Sequence, residues 1–277
     1  MIRLAALFAL LAGPAMAQDR VLVLGGSVAE IVDALGQSDR LIARDTTTQY
    51  PPELTELPDV GYLRALSPEG VLSVDPDLIL AEPDAGPPEA LEVLRAAAIP
   101  YVEVPDGFDA HTLAAKIGAV GAALGVEAEA EALAAKTAAS LGAAVAAAAE
   151  GPPARAIFVL SMANGRVMAA GTDTSADAML RLAGAENVMA DVEGYKPVSD
   201  EAIAAAAPDV VVMMDRGGDH GADDATLFAH PGFATSPAAE AGAVVRMDGL
   251  LLLGFGPRTP EAVERLASEI ARTRGGG

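Results

Sequence analysis

The feature that most constrains the fold is a segment that occurs twice, once in each half of the chain. The first copy runs from Leu66-Ser-Pro-Glu69 to Pro76-Asp77-Leu-Ile-Leu80, and the second from Val198-Ser-Asp-Glu201 to Pro208-Asp209-Val-Val-Val212. The same offset, 132 residues, separates the two glutamates and the two Asp-flanked prolines. Each copy has the pattern of a helix followed by a buried strand, so the chain is predicted to contain two similar halves.

Apolar runs and helical segments alternate within each half. The predicted strands lie at 20–24, 41–43, 77–81 and 101–104 in the first half and at 156–160, 166–169, 210–214 and 244–246 in the second. Most of these runs are apolar at consecutive positions, which is typical of strands buried on both faces of a parallel sheet. The sequence therefore predicts α/β architecture in both halves.

A long helical stretch separates the two halves. Residues 110–150 are rich in Ala, Leu, Glu and Lys, and they predict one or two helices, the second at about 127–149. Leu133, Leu141 and Val145 lie close to one helical face, which indicates a packed helix. The predicted fold is two similar Rossmann-like lobes with parallel sheets, at 18–108 and 151–277, joined by a long rigid interdomain helix within 109–150. A ligand site is expected between the lobes.

The N-terminus and the composition limit the cellular context. Arg3, an apolar run from Leu4 to Leu11 and the motif Ala15-Met16-Ala17 have the features of a cleaved signal peptide, residues 1–17. The chain has no cysteine, which excludes disulfides, thiolate metal sites and a lipobox anchor. The formal net charge of −21 argues against nucleic acid as a partner. We expect a periplasmic protein, and no nucleophile-and-base arrangement indicates an enzyme.

Three segments resemble a known family, the periplasmic haem-binding proteins of ABC importers, which are relatives of the vitamin B12 and siderophore binders. These segments are Leu24-Gly-Gly-Ser27 with Glu30-Ile31, Leu57-Pro-Asp-Val-Gly-Tyr62-Leu-Arg64, and Met168-Ala-Ala-Gly171 with Ala176-Asp-Ala-Met179. The resemblance covers almost the whole chain after the signal peptide. It implies that ferric haem b is the transported ligand, that Tyr62 ligates its iron, and that Arg64 accompanies Tyr62.

The chemistry of Tyr62 and Arg64 agrees with this resemblance. Ferric iron accepts a tyrosinate oxygen as an axial ligand. A free phenol ionises near pKa 10, and both the iron and a nearby guanidinium favour its anion. Arg64 is expected either to hydrogen-bond the phenol oxygen or to pair with a haem propionate. The alternative is a packed tyrosine beside a solvated surface arginine.

Other residues are weaker candidates for the cleft. Some relatives carry a histidine where this chain has Met162, which is expected either to ligate the iron or to pack against the porphyrin or the core. Tyr195 is expected to line the second side of the cleft, to contact a propionate, or to stabilise a turn. Arg258 lies in a glycine-rich loop near the cleft. The Gly- and Asp-rich stretch from Asp215 to Asp224 predicts a loop near the cleft rather than a metal site.

Glu69 and Glu201 occupy equivalent places in the two copies of the repeat. In the family that this chain resembles, paired glutamates contact arginines of the two permease subunits in the inner membrane. Acidic residues also favour helix N-termini because they complement the helix dipole. The resemblance therefore implies a haem receptor that docks on an ABC permease dimer, and we expect this receptor to be a monomer. The same architecture would suit a receptor for cobalamin or a ferric siderophore, and a periplasmic α/β enzyme is the alternative from another class.

Overall fold

A computed structural model describes residues 19–163, 165–215 and 222–275. The predicted signal peptide, residues 1–17, and residues 216–221 of the predicted glycine-rich loop lie outside the described residues. Within these ranges the chain forms two α/β lobes with a pair of helices between them, so the α/β class with two lobes is confirmed.

The N-terminal lobe contains a four-stranded sheet in the order β2-β1-β3-β4, in which every pairing is parallel. Its strands are β1 (Val21–Leu24), β2 (Leu41–Arg44), β3 (Leu78–Ala81) and β4 (Tyr101–Glu103). Its helices are α1 (Gly26–Ala34), α2 (Pro68–Leu72) and α3 (Pro88–Ala96). Every residue of β1 and β3 is buried, which explains why these strands are apolar at consecutive positions.

Two helices connect the lobes, α4 (Ala110–Leu124) and α5 (Glu127–Ala148). Asp109 and Thr112 form a capping box at the start of α4, and Gly125 ends α4 in the left-handed conformation. The 22-residue helix α5 is the long helix that the composition predicted. Leu141 is buried, and Leu133 and Val145 pack against the same core, so the predicted apolar face is confirmed.

The C-terminal lobe contains a six-stranded sheet that is only partly parallel. Its strands are β5 (Arg155–Ala163), β6 (Arg166–Ala170), β7 (Glu186–Asn187), β8 (Tyr195–Val198), β9 (Val210–Asp215) and β10 (Val244–Asp248). Strand β5 pairs in parallel with β7 and with β9, and β9 pairs in parallel with β10, whereas β6 runs antiparallel to both β5 and β8. Only residues 164 and 165 separate β5 from β6, and a connection this short cannot make the crossover that parallel strands need. The expectation of a parallel sheet therefore holds for only part of this lobe.

Six helices of the described C-terminal lobe accompany this sheet, and α11 is the last described element of the chain. They are α6 (Ser175–Leu182), α7 (Asp200–Ala206), α8 (Asp224–Ala229), α9 (Pro237–Ala241), α10 (Gly249–Leu253) and α11 (Thr259–Gly275). One large apolar core joins one face of the first sheet, the linking helices and the second sheet, and a smaller core lies on the other face of the first sheet. None of the helices in the described ranges is both long and apolar enough to cross a membrane.

Candidate ligand-binding cleft

A cavity of about 1130 Å³ lies between the two lobes. The N-terminal lobe contributes Thr47, Gln49, Tyr62, Arg64 and Glu82, and the C-terminal lobe contributes Leu160, Ser175, Tyr195, Met214, Asp215 and Asp248, among others. Several of these residues end strands or follow them directly, because ligand sites form where the carboxyl ends of parallel strands leave polar side chains and free backbone groups. The predicted position of the site, between the lobes, agrees with this cavity.

Tyr62 directly precedes a short turn that a buried leucine fixes in place. It precedes the 3₁₀ turn Leu63–Ala65, in which Leu63 is buried and anchors the turn in the smaller core. The Tyr62 side chain remains 42% exposed, although tyrosine is usually more buried. The structure therefore presents a phenol to the cleft on a rigid support.

Arg64 contacts the phenol oxygen of Tyr62. Its Nη1 donates a hydrogen bond to the Tyr62 oxygen at 2.5 Å, its guanidinium carbon lies 5.6 Å from the ring centroid, and its Nη2 pairs with Asp84. Burial would lower the pKa of Arg64, but the hydrogen bond to Tyr62 and the charge of Asp84 outweigh it and raise that pKa. Arg64 therefore carries its charge throughout the usual pH range.

Glu82 lies deeper in the cleft, directly after β3. It accepts a hydrogen bond of 2.5 Å from the Ser27 hydroxyl, and the buried Lys116 of α4 lies 3.7 Å from its Oε1. Burial raises the pKa of Glu82, and the charge of Lys116 and the Ser27 hydrogen bond oppose this effect. Gly25 passes so close that a Cβ there would lie 2.5 Å from the Glu82 side chain, and its φ of +129° also favours glycine.

Tyr195 faces the cleft from the C-terminal lobe. Its hydroxyl lies 3.3 Å from the Ser175 hydroxyl, and its ring meets Phe158 edge-on at 6.4 Å between centroids. It belongs to strand β8 and not to a turn, so the expectation of a turn residue was wrong. Its predicted position on the second side of the cleft agrees with the lining of the cavity.

Met162 and Arg258 lie elsewhere. Among the described residues that line the cavity, Leu160 represents strand β5, whereas Met162 is half-buried and packs against the large core. Arg258 forms an ion pair with the buried Glu30 of α1, and its guanidinium carbon lies 3.6 Å from the centroid of the Tyr50 ring. Arg258 therefore connects the two lobes and does not line the cavity.

Glu69 and Glu201 have the matching positions that the repeat predicted. Each is the second residue of a short helix, α2 or α7, whose first turn is capped by a serine hydroxyl, from Ser67 or Ser199. Both carboxylates are exposed and lie outside the cavity. The pKa of each is lowered by a hydrogen bond from its own backbone N–H and by one from the capping serine. Both therefore remain charged well below neutral pH.

Glu82 and Asp84 are two of the site residues that sequence reasoning missed. Glu82 follows a predicted strand immediately, so the rule on strand carboxyl ends would have found it. Asp84 carries no motif, since its role depends on the position of Arg64, 20 residues away. The described part of the chain contains no group of three or more His, Cys, Asp or Glu side chains arranged to hold a metal ion.

Comparisons with known proteins agree with this geometry. Two solved structures are similar over almost the whole chain. The periplasmic haem-binding protein BhuT in complex with two haems is 41% identical with a TM-score of 0.86, and the match covers 92% of this chain and 98% of BhuT. The periplasmic haem-binding protein RhuT from Roseiflexus sp. RS-1 in its apo form is 35% identical with a TM-score of 0.88, and the match covers 92% of this chain and 99% of RhuT. An uncharacterized ABC transporter substrate-binding lipoprotein, YvrC of Bacillus subtilis (strain 168), is 28% identical over 255 residues, which are 91% of this chain and 79% of YvrC. Residues 21–250 match the family described as periplasmic binding protein, and the chain belongs to that family.

Proposed function

We propose that this protein is a periplasmic receptor that binds ferric haem b between its lobes and delivers it to an ABC importer of the inner membrane. The observation that carries the proposal is the exposed phenol of Tyr62, which lies on the cavity between the lobes with its oxygen in contact with Arg64. A phenol with a cationic hydrogen-bond donor at its oxygen is suited to bind Fe³⁺ as the anion.

The size and lining of the cleft support this ligand. A cavity of about 1130 Å³ exceeds the range of about 300–1,000 Å³ of ordinary small-molecule pockets, as a bulky planar ligand requires. Apolar side chains of the other lobe, such as Leu160, Leu250 and Leu253, line the same cavity and suit a porphyrin face. The similarity to BhuT and RhuT, which are named as haem-binding proteins, points in the same direction.

A spectral titration with haemin tests the proposal. We expect the wild-type protein to shift the Soret band and to give the charge-transfer absorption of ferric tyrosinate, and we expect Tyr62→Phe to lose that absorption. Tyr50→Phe is the matched control, because Tyr50 is equally exposed, at 41%, and is not among the residues that line the cavity. A receptor for cobalamin or a ferric siderophore would show no haem spectrum that depends on Tyr62, and this result would refute the proposal.

We also propose that Tyr62 ligates the iron without Met162, which contributes packing alone. Met162 is half-buried against the large core and lies outside the lining of the cavity. Met162→Leu should therefore keep the ferric spectrum and the haemin affinity of the wild type, since the volume and the apolar character are conserved. Loss of a six-coordinate spectrum in this variant would contradict the assignment.

The docking role of Glu69 and Glu201 is a further part of the proposal. One exposed carboxylate on each lobe would contact both halves of a permease dimer at once, and exposed charges guide such encounters. The chain offers a close control, because Glu89 follows Pro88 at the second position of α3 just as Glu69 follows Pro68 in α2. Glu69→Ala with Glu201→Ala should reduce stimulation of the permease ATPase without changing haemin binding, whereas Glu89→Ala should change neither.

A further inference from the structure

Arg64 is held at both ends of its guanidinium. Nη1 donates to the phenol oxygen of Tyr62, and Nη2 pairs with Asp84. A guanidinium is a rigid planar fork, so fixing one end also fixes the direction of the other. Asp84, which binds Nη2, therefore helps to orient Nη1 toward the phenol oxygen.

The loop that carries Asp84 is joined to the turn that carries Tyr62. The Gly86 amide donates to the Leu63 carbonyl at 2.8 Å, and the Leu66 amide donates to the Gly86 carbonyl at 2.8 Å. These two bonds connect the loop after β3 with the turn on both sides of Arg64. The distance between the carboxylate and the guanidinium is thus set by backbone contacts as well as by the charges themselves.

Asp84 also belongs to an acidic side pocket beside the cleft. This cavity of about 280 Å³ is lined by Arg64, Glu82, Asp84, Asp106, Lys116 and Asp173, among others. Lys116 pairs with Asp106 at 3.0 Å and lies 3.7 Å from Glu82, which leaves Arg64 as the cation next to Asp84. The carboxylate of Asp84 contacts Nη2 and the phenol contacts Nη1, so the two groups hold different ends of the guanidinium.

We propose that Asp84 is a positioning residue that commits Arg64 to the ligating oxygen of Tyr62 and keeps it from pairing with a carboxylate of the bound ligand. The inference rests on the proposed function. The sequence left two roles open for Arg64, a hydrogen bond to the phenol oxygen or an ion pair with a haem propionate, and this inference selects the first. Asp84 by itself would repel a phenolate, but the guanidinium touches the oxygen at 2.5 Å and stands between the two anions. The shorter interaction dominates because charge interactions weaken with distance.

The first test is the pH at which the ferric tyrosinate absorption disappears on acidification. Loss of a well-aligned cation makes the phenolate easier to protonate, so Asp84→Ala should raise this midpoint by about one pH unit, with a smaller rise in Asp84→Asn. Arg64→Met should raise it at least as much. In the Arg64→Met background Asp84→Ala should cause no further rise and should instead lower the midpoint slightly, because only the direct repulsion between Asp84 and the phenolate is then removed.

A second test uses ligands with and without free carboxylates. In the wild type, Arg64→Met should weaken binding of haemin and of its dimethyl ester by the same factor. In the Asp84→Ala background Arg64 is released toward the propionates, so Arg64→Met should weaken haemin several-fold more than the ester. Equal factors in both backgrounds would overturn the inference.

The chain contains a matched control in which the same residue types meet away from the cleft. Arg95 lies over the Tyr101 ring at 5.3 Å and pairs with Glu103 at 3.2 Å. Glu103→Gln should leave both the spectrum and its pH midpoint unchanged. An unchanged midpoint in Asp84→Ala, or a rise that persists in the Arg64→Met background, refutes the role of Asp84 while leaving haem binding intact. Absence of any tyrosinate absorption in the wild type instead refutes the proposed function.

Discussion

The ion pair between Glu30 and Arg258 connects the two lobes, and its removal gives a prediction that does not depend on the ligand. Glu30 lies on α1 in the first lobe and is only 6% exposed, whereas Arg258 directly precedes α11 in the second. Burial raises the pKa of Glu30, and the hydrogen bond and charge of Arg258 oppose this effect. Arg258→Met keeps an unbranched apolar side chain beside Tyr50 and leaves Glu30 without its cation.

The expected loss of stability follows from the proton equilibrium of Glu30. The unpaired carboxylate can take up a proton, and for a glutamate whose ordinary pKa is 4.5 this costs at most about 3.4 kcal/mol at pH 7, at about 1.36 kcal/mol per pH unit. The pKa of Glu30 is already raised in the intact pair, so we expect a loss of about 2–3 kcal/mol, which is just below the range of about 3–5 kcal/mol for broken buried pairs.

The sign of the pH dependence is fixed by the same argument. In the variant the folded protein binds the Glu30 proton more tightly than the unfolded chain does, so its stability falls as the pH rises above about 4.5. At about pH 5 the largest cost of protonating Glu30 is only about 0.7 kcal/mol. The proton-linked part of the loss caused by Arg258→Met should therefore shrink several-fold between about pH 7 and about pH 5.

Urea unfolding at a series of pH values measures this loss. Glu30→Gln with Arg258→Met is the control, because it removes the titrating group and leaves only the lost contact with Tyr50, worth about 0.5–1 kcal/mol. Arg258→Lys keeps the positive charge and should lie between the wild type and Arg258→Met. A loss that is equal at both pH values, or that is undiminished in the Glu30→Gln background, would refute the reasoning.

Three further predictions concern the backbone and the buried polar groups, and the first of them has a matched control. Gly25→Ala should destabilise by about 2–3 kcal/mol in urea unfolding, since its Cβ would meet Glu82 and its φ is +129°; Gly36→Ala, with φ +70° and open space around it, should lose only about 1 kcal/mol. Glu82→Gln should gain stability relative to the wild type as the pH rises above about 4.5, because burial raises the pKa of Glu82. Asn187→Ala should lower the melting temperature by roughly 5–10 °C, because Asn187 bridges Asp177 and the Ala170 carbonyl in the interior.

The strands of the first lobe were predictable because burial on both faces leaves a strong signal. β1 and β3 contain no polar residue, and each is entirely buried. The entry to β3 through Pro76-Asp77 and the repeat of this feature at Pro208-Asp209 gave the boundaries. A continuous apolar run between turn residues is the pattern that a central parallel strand requires.

Strand β8 shows why the second sheet was harder to predict. Its sequence, Tyr195-Lys-Pro-Val198, contains a proline and a lysine and gives no apolar run. β8 lies at the edge of the sheet beside β6, and an edge strand tolerates proline because one side of it forms no ladder hydrogen bonds. Its assignment depends on the neighbouring strand and not on its own residues.

The candidate site divides in the same way between local and distant signals. Tyr62 and Arg64 lie in one short turn, so a motif can place them together. Asp84 and Glu82 reach the same site from the end of β3, and Tyr195 and Ser175 reach it from the other lobe. No sequence window contains these partners, because the fold brings them together across long separations.

The two halves of the repeat have kept different features. Both retain a serine-capped helix with an exposed glutamate in its first turn, Glu69 or Glu201. The cleft residues are not repeated: Tyr62 precedes a turn and contacts Arg64, whereas Tyr195 lies in a strand and contacts Ser175. A ligand held between unlike walls needs only one ligating side chain, but a partner built from two equivalent subunits needs the same surface twice. The repeated glutamates and the single Tyr62–Arg64 pair therefore fit the proposed division between permease docking outside the cleft and ligand binding within it.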